Sequence, residues 1–433
     1  MRNMCVSVKS LGMPVLVVLA SVWAAQAAAP GSMSPVGQAP MGAVQWQQDL
    51  DFLAANLPQK HKNAFFKLKQ ADFESAVREF RAAIPSLEEP AVVLGFNRIV
   101  ALLGDAHTEA NTGAYQLKYP FYPLVFSGAL KDGFAVVAAS PERQDLIGCA
   151  LMSIDGMPVA EVIDRVATLY PWENRAWKLA LLRGWLPQAE ALKVVGVAKS
   201  NARGTFGFRT LAGETKSVEL ESAPVAALKL KPYSPTWLGP AAVSRKPNPE
   251  ALWFEMLPGT RALYVPYLRC RDDTNKKIAD YTKELVQRLD AGGIDRLIID
   301  LRYNTGGNSE LIDPFVRHLA GRKEFAHKGA LIALTGGNTF SSGHSCAHAL
   351  RKQCHAVVIG GPTGQKPNGY GEVLSFRLPN SGLEISYSTK YFTMDDADPE
   401  SMMPDVLVEP TIAEFVGGRD MVLEAAVNYK PSQ

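Results

Sequence analysis

The chain has 433 residues, of which 47% are hydrophobic and 20% charged, with a formal charge of +2. That length predicts two or three domains of ordinary globular composition. The near-neutral balance gives no reason to invoke nucleic acid or a membrane surface as partner.

The first 27 residues form a unit of their own. Arg2 and Lys9 are basic, Leu11–Ala25 is apolar, and Ala25-Gln26-Ala27 fits a small-x-small cleavage site. This pattern predicts a secretory signal peptide rather than a membrane span, because the apolar run is short and ends in small residues. No cysteine sits just after the predicted cut, and no other stretch is long enough to span a bilayer. The mature chain is therefore expected to be periplasmic or secreted, with no stable membrane insertion. Its four remaining cysteines, Cys149, Cys270, Cys346 and Cys354, are sparse for disulfides, and their pairing stays open.

Residues 28–43, rich in Pro, Gly and Ala, read as a flexible lead-in. Residues 44–113 read as a helical segment. Asp72 is placed to cap a helix carrying Phe73, Val77, Phe80 and Ile84 on one face. Pro90 opens a second, carrying Val93, Phe96, Val100 and Leu103, which runs out at Gly104-Asp105-Ala106-His107-Thr108. From 114 to 223 the pattern changes to short strands broken by turns, with a hairpin-like Leu146–Val159 turning at Asp155-Gly156 and a helical Glu161–Leu169. This part resembles a PDZ-type module, which binds extended chains by strand addition; a plain β-rich spacer fits as well. Residues 224–249 read as a linker. From 250 to 433, strands and helices alternate: Arg261–Leu268, Lys276–Leu289, Arg296–Leu301, Ser309–Leu319, Ala330–Leu334, a helix to Leu350, and Ala356–Ile359. That alternation predicts a layered α/β core.

Chemistry concentrates in Ala330–Gly361. A strand-length apolar run is followed by Gly336-Gly337, then Asn338-Thr339-Phe340-Ser341-Ser342-Gly343, then a helical pattern. A serine at such a strand-to-helix junction either caps the helix or exposes its Oγ beside free backbone N–H groups. Upstream lies Asp300-Leu301-Arg302-Tyr303-Asn304-Thr305-Gly306-Gly307. Downstream lie Gly361-Pro362-Thr363-Gly364 and Met403-Pro404-Asp405-Val406.

These motifs, in this order, resemble the tail-specific (C-terminal processing) serine protease family, in its tricorn core protease-like and interphotoreceptor retinoid-binding protein-like branch. The resemblance covers residues 251–410, with Gly104–Thr108 as a shorter match. It implies a Clp protease/crotonase-type spiral core with the N-terminal helical segment and the small β-rich domain attached. It aligns Ser341 with the nucleophile, and the Ser342 N–H with Gly306 or Gly307 as oxyanion donors. For the base it offers Lys366 or His107. A neutral lysine at pH 7 needs a pKa drop of about three units, whereas histidine needs none, so His107 is preferred. The acid orienting it would come from Asp396, Asp398 or Glu400, with Glu400 the first choice. Asp105 reads as a cap or turn residue.

His344 stands where the family often has a glutamate. With His348 it makes an i, i+4 pair of zinc-site spacing, but no third ligand is identifiable. The resemblance thus implies a serine-type peptidase acting on peptide or protein, without metal or organic cofactor. The alternative is a non-catalytic protein binding hydrophobic ligands or peptides on the same fold.

Overall fold

The computed structural model describes residues 41–233, 239–246 and 248–431. The predicted signal peptide and nearly all of the lead-in lie outside the described residues. No helix among the described residues is long and apolar enough to cross a membrane.

Three helices open the described chain: α1 (Ala43–Lys60), α2 (Gln70–Ala83) and α3 (Glu89–Ala101). In α1, Trp46, Leu50, Leu53 and Leu57 recur three or four residues apart and form the buried stripe. Asp72 is not the cap predicted for α2. The helix begins two residues earlier, and Asp72 sits in its first turn, where a carboxylate favours the helix dipole. Pro90 does lie in the first turn of α3, which is buried on several faces because it packs both on the other helices and on the domain that follows.

That domain is less β-rich than its turns and alternation predict. Strands β1 (Leu124–Phe126) and β2 (Val136–Ala139) form one small antiparallel sheet. Strands β3 (Ala150–Ile154), β4 (Arg203–Arg209) and β5 (Thr215–Glu221) form another, with Met157–Pro158 at its edge. Between them run α4 (Val159–Val166), α5 (Arg175–Trp185) and α6 (Ala189–Val194). The last two were missed, yet α5 has local cause. The Asn174 side chain accepts from the Trp177 N–H at 2.9 Å, and Trp177, Ala180, Leu181 and Trp185 make one buried face. The 224–249 stretch is docked rather than free where it is described. Lys231–Pro232 pairs with β2, and Ala241 and Val243 are buried.

Among the described residues, the core is a six-stranded sheet. Short β6 (Glu255–Met256) runs antiparallel to β7 (Ala262–Pro266). Then β8 (Arg296–Asp300), β9 (Leu331–Thr335), β10 (Val357–Gly360) and the short strand Val406–Leu407 follow in parallel. Strands β7 and β9 are buried at every position, as a parallel sheet covered on both faces requires. One face packs Leu263, Leu297, Leu331 and Val358 against α7 (Ile278–Asp290), α8 (Asp313–Ala320) and α9 (Ser342–Cys354). The other packs Tyr264, Ile298, Ile332 and Ile359 against α10 (Met421–Val427). The predicted α/β core is therefore present.

A long hairpin, β11 (Gly369–Arg377) and β12 (Glu384–Phe392), leaves the core and buries Leu378, Leu383, Ile385 and Tyr387 among the N-terminal helices. Residues 109–111 add to β12 as a third strand: Glu109 and Ser386 exchange N–H···O bonds of 3.2 and 2.9 Å, and Asn111 N–H donates to Glu384 at 2.9 Å. The hairpin thus carries the segment bearing His107 to the core. All four described cysteines are free and buried.

Candidate active site

Ser341 stands at the junction of β9 and α9 with φ +50° and ψ −127°. A non-glycine residue in that region is strained by about 1–3 kcal/mol. Its side chain makes no capping hydrogen bond, so the plain capping role does not account for it. Ser342 Oγ instead donates to the Gly307 carbonyl at 2.6 Å, tying the serine helix to the glycine turn after β8.

That turn is fixed from beneath. Arg302 is buried and forms hydrogen-bonded ion pairs with Asp300 at 2.6 Å and Asp420 at 2.7 Å. Asn304 donates to the Tyr267 carbonyl, and its own carbonyl takes the Phe340 N–H at 3.0 Å. The Gly306 N–H is committed to Asn304 Oδ1 at 2.9 Å, so it is not free to donate to an oxyanion as the sequence reading allowed. The N–H groups of Gly307 and Ser342 have no acceptor among the described residues. Gly306 contributes space instead. With φ +110°, a Cβ there would lie 2.9 Å from Ser342 N and 3.0 Å from Ser341 Oγ.

His107 reaches the site through Phe340, the residue before Ser341. Phe340 is sandwiched, with ring centroids 4.5 Å from His107 and 4.1 Å from Trp177. Behind His107 lies a polar cluster. Asp105 Oδ1 accepts the backbone N–H of His107 at 3.0 Å, while Oδ2 accepts from Thr108 Oγ1 at 2.5 Å and from His61 Nε2 at 2.9 Å. His61 Nδ1 takes the Asn63 N–H at 3.0 Å, which leaves the ring proton on Nε2, aimed at Asp105. Burial alone would raise the Asp105 carboxyl, but these donors and the nearby His107 hold it well below the usual carboxylate range. The expected turn role of Asp105 is present, and Asp105 is also the hub of this cluster.

The third member is Glu173, in the loop before α5. One ligand-type atom from each of Asp105, His107 and Glu173 lies within 4.8 Å of the others. Glu173 Oε1 accepts the Ala106 N–H at 3.2 Å, whereas Oε2 is buried without a partner, as is Nδ1 of His107. Burial, reinforced by the Asp105 charge, pushes Glu173 up to about 8. Burial draws His107 below its ordinary value, against the opposing pull of Asp105 and the Tyr370 carbonyl. A cation offered these ligands would have to displace donors from Asp105, whose oxygens are already engaged. The cluster is therefore better suited to holding protons. No motif in the sequence singled out Glu173 or Trp177.

The other proposed site residues fall elsewhere. Lys366 Nζ pairs with Asp398 at 3.4 Å, with its side chain 23% exposed. Glu400 is exposed, and its recorded hydrogen bond is through its backbone carbonyl, which accepts from Asn174 at 2.8 Å. Glu173, and not Glu400, shares the 4.8 Å cluster with His107. Asp396 and Asp398 are exposed as well.

His344, one turn into α9, is fully buried. Thr363 Oγ1 donates to the Gln365 carbonyl at 3.0 Å and so accepts from His344 Nδ1 at 3.1 Å, leaving Nε2 bare and unpartnered. The His348 ring lies 6.4 Å away, and its Nε2 is unpartnered too. Neither belongs to a cluster of three or more metal-type ligands among the described residues. Burial and then His348 bring His344 down to about 3. The unfolded chain takes up this proton near pH 6.5, and the folded chain refuses it until about 3. The stabilisation is therefore complete above pH 6.5 and is lost as pH falls. One such group is worth about 1.4 kcal/mol per pH unit. His344→Gln should flatten the acid arm of urea-unfolding stability between about pH 6.5 and 4.5 by roughly 2–3 kcal/mol. An unchanged slope would show that His344 is not held neutral.

No family model matches the chain, and no curated protein matches its sequence. Solved structures do match. Mature CPAF complexed with lactacystin aligns with a TM-score of 0.55 at 12% identity, covering 89% of this chain and 99% of that one. Mature CPAF by itself gives 0.52 at 14% identity, covering 89% and 98%. The chain has the fold of CPAF from the N-terminal helices through the α/β core.

Proposed function

We propose that the chain is a secreted or periplasmic serine peptidase, acting through an acyl-enzyme on Ser341 with His107 as general base. The observation that carries this reading is the strained Ser341, its Oγ free of any cap and facing space kept open by Gly306. The shared fold with CPAF, solved with lactacystin bound, and the residue pattern of 1–27 support it.

In the proposed reaction Ser341 Oγ attacks the peptide carbonyl carbon while its proton passes to His107. The new oxyanion accepts hydrogen bonds from the N–H groups of Ser342 and Gly307. Collapse breaks the C–N bond, His107 returns its proton to the leaving amine, and water releases the acyl group by the reverse sequence.

The test is labelling by a fluorophosphonate probe, with circular dichroism confirming that each variant folds. Labelling should be lost in Ser341→Ala and His107→Ala and kept in Lys366→Ala. Loss in Lys366→Ala with retention in His107→Ala would move the base to Lys366. A folded wild type that never labels would favour a non-catalytic ligand- or peptide-binding protein on this fold.

A further inference from the structure

We propose that Glu173 is the positioning carboxylate of the site: it accepts a hydrogen bond from Nδ1–H of His107 and so turns Nε2 toward Ser341. The inference rests on the reading of Ser341 and His107 as the reacting pair. It comes from two buried atoms that both lack a partner, Nδ1 of His107 and Oε2 of Glu173, in side chains whose ligand atoms approach within 4.8 Å. A buried polar atom without a partner is costly, and two complementary ones in neighbouring side chains can relieve each other by pairing. Among the described residues, Asp105 is the other carboxylate in this cluster. Asp105 has both oxygens engaged, Glu400 is exposed, and Asp398 is paired with Lys366.

The anchoring of Glu173 fits a positioning role. Its Oε1 is held by the Ala106 N–H, one residue before His107, so the carboxylate and the imidazole share one backbone segment. Its loop is fixed by Asn174, whose amide donates to the carbonyls of Thr363 and Glu400 and to Ser401 Oγ. Glu173 is bolted to the core on one side and to the histidine segment on the other.

Proton bookkeeping sets the pH dependence. For Nε2 to accept the serine proton, Nδ1 must carry a hydrogen, and Glu173 must then be ionised to accept it. The groups around Glu173 are Asp105, which disfavours its ionisation; Lys67, which favours it and donates to the Gly104 carbonyl; and His107. Lys366 and Glu400 act on Lys67, and Tyr391 also feels Glu173. Reactivity should rise as Glu173 loses its proton, near pH 8.

The experiment measures the fluorophosphonate labelling rate from pH 5 to 9.5 in wild type, Glu173→Gln, Glu173→Asp and Glu400→Gln. Proton NMR in the low-field imidazole region is recorded on the same proteins, with His107→Ala to assign the signal. The wild-type rate should climb through about pH 8 and show a low-field Nδ1–H signal above it. Glu173→Gln should keep the Ala106 anchor, lose the signal and the inflection, and label about 10²-fold more slowly. Glu173→Asp should restore the inflection at an intermediate rate. Wild-type rate, profile and signal in Glu173→Gln would overturn the proposal, as would their loss in Glu400→Gln alone. If wild type shows the Nδ1–H signal and Glu173→Gln lacks it while nothing labels, the pairing stands and the peptidase reading falls.

Discussion

Gly306→Ala is expected to abolish labelling of Ser341 while leaving the protein folded. A Cβ at 306 would come within 2.6 Å of Ser341 Cβ, 2.9 Å of Ser342 N and 3.0 Å of Ser341 Oγ. The added methyl therefore occupies the space in front of the proposed nucleophile and one proposed oxyanion donor. Loss of one such donor typically costs about 10²–10³-fold in rate, and the methyl obstructs Ser341 Oγ as well. The backbone also resists the change, since φ +110° is strained for any residue with a Cβ. That strain alone lowers stability by about 1–3 kcal/mol and would complicate the result. Gly292→Ala separates the two effects. Gly292 has φ +72°, and a Cβ there meets nothing within 4 Å. It should lose stability on thermal melting yet label at the wild-type rate. Equal labelling by Gly306→Ala and wild type would mean that the space over Ser341 is not where the probe or its oxyanion sits.

The site was legible in the sequence where chemistry is written as a local motif. Ser341, Ser342 and the paired glycines lie in runs whose turns need small residues, and His107 closes a helix that its own periodicity reveals. What the sequence hid are partners brought in by tertiary packing. Glu173 precedes a capped helix inside a stretch that alternation marked as β-rich, and nothing local distinguishes its carboxylate from a solvated one. Phe340 stands among hydroxyl residues in the sequence, and only the fold shows its ring linking His107 to Trp177. Glu400 looked plausible because chain order carries no information on exposure. The role of Gly306 also changed for a geometric reason: its N–H turns toward Asn304, so its value lies in having no side chain. The core strands were readable from continuous apolar runs. Helices α5 and α6 were not, because Leu, Ala and Trp in short segments serve a buried helix as well as a buried strand.

Asp420→Asn should destabilise the protein by about 3–5 kcal/mol in urea or guanidinium unfolding, the range for breaking a buried ion pair. The substitution keeps shape and capping ability, since asparagine also accepts at a helix start as Asp420 does from the Leu423 N–H. What it removes is one of two carboxylates facing Arg302, a buried guanidinium hydrogen-bonded on both sides. Among the described residues, Asp300 is left as the remaining ion-pair partner, and it is shared with Tyr264, whose hydroxyl donates to it at 2.6 Å. Burial would raise the Asp420 carboxyl, but Arg302, Arg245 and Ser244 hold it well below the usual carboxylate range. A depressed carboxylate stabilises the fold fully above its unfolded pKa of about 4. That contribution is lost as pH falls from there toward the folded value. The variant should therefore be weaker at neutral pH and lose less between about pH 4 and 2 than wild type. Arg302 also begins the turn that presents Gly306 and Gly307 to Ser341, so the labelling rate should fall along with stability. Full labelling in a strongly destabilised Asp420→Asn would show that the glycine turn keeps its shape without this ionic anchor. The bonds of Asn304 to Tyr267 and Phe340 would then be sufficient to hold it.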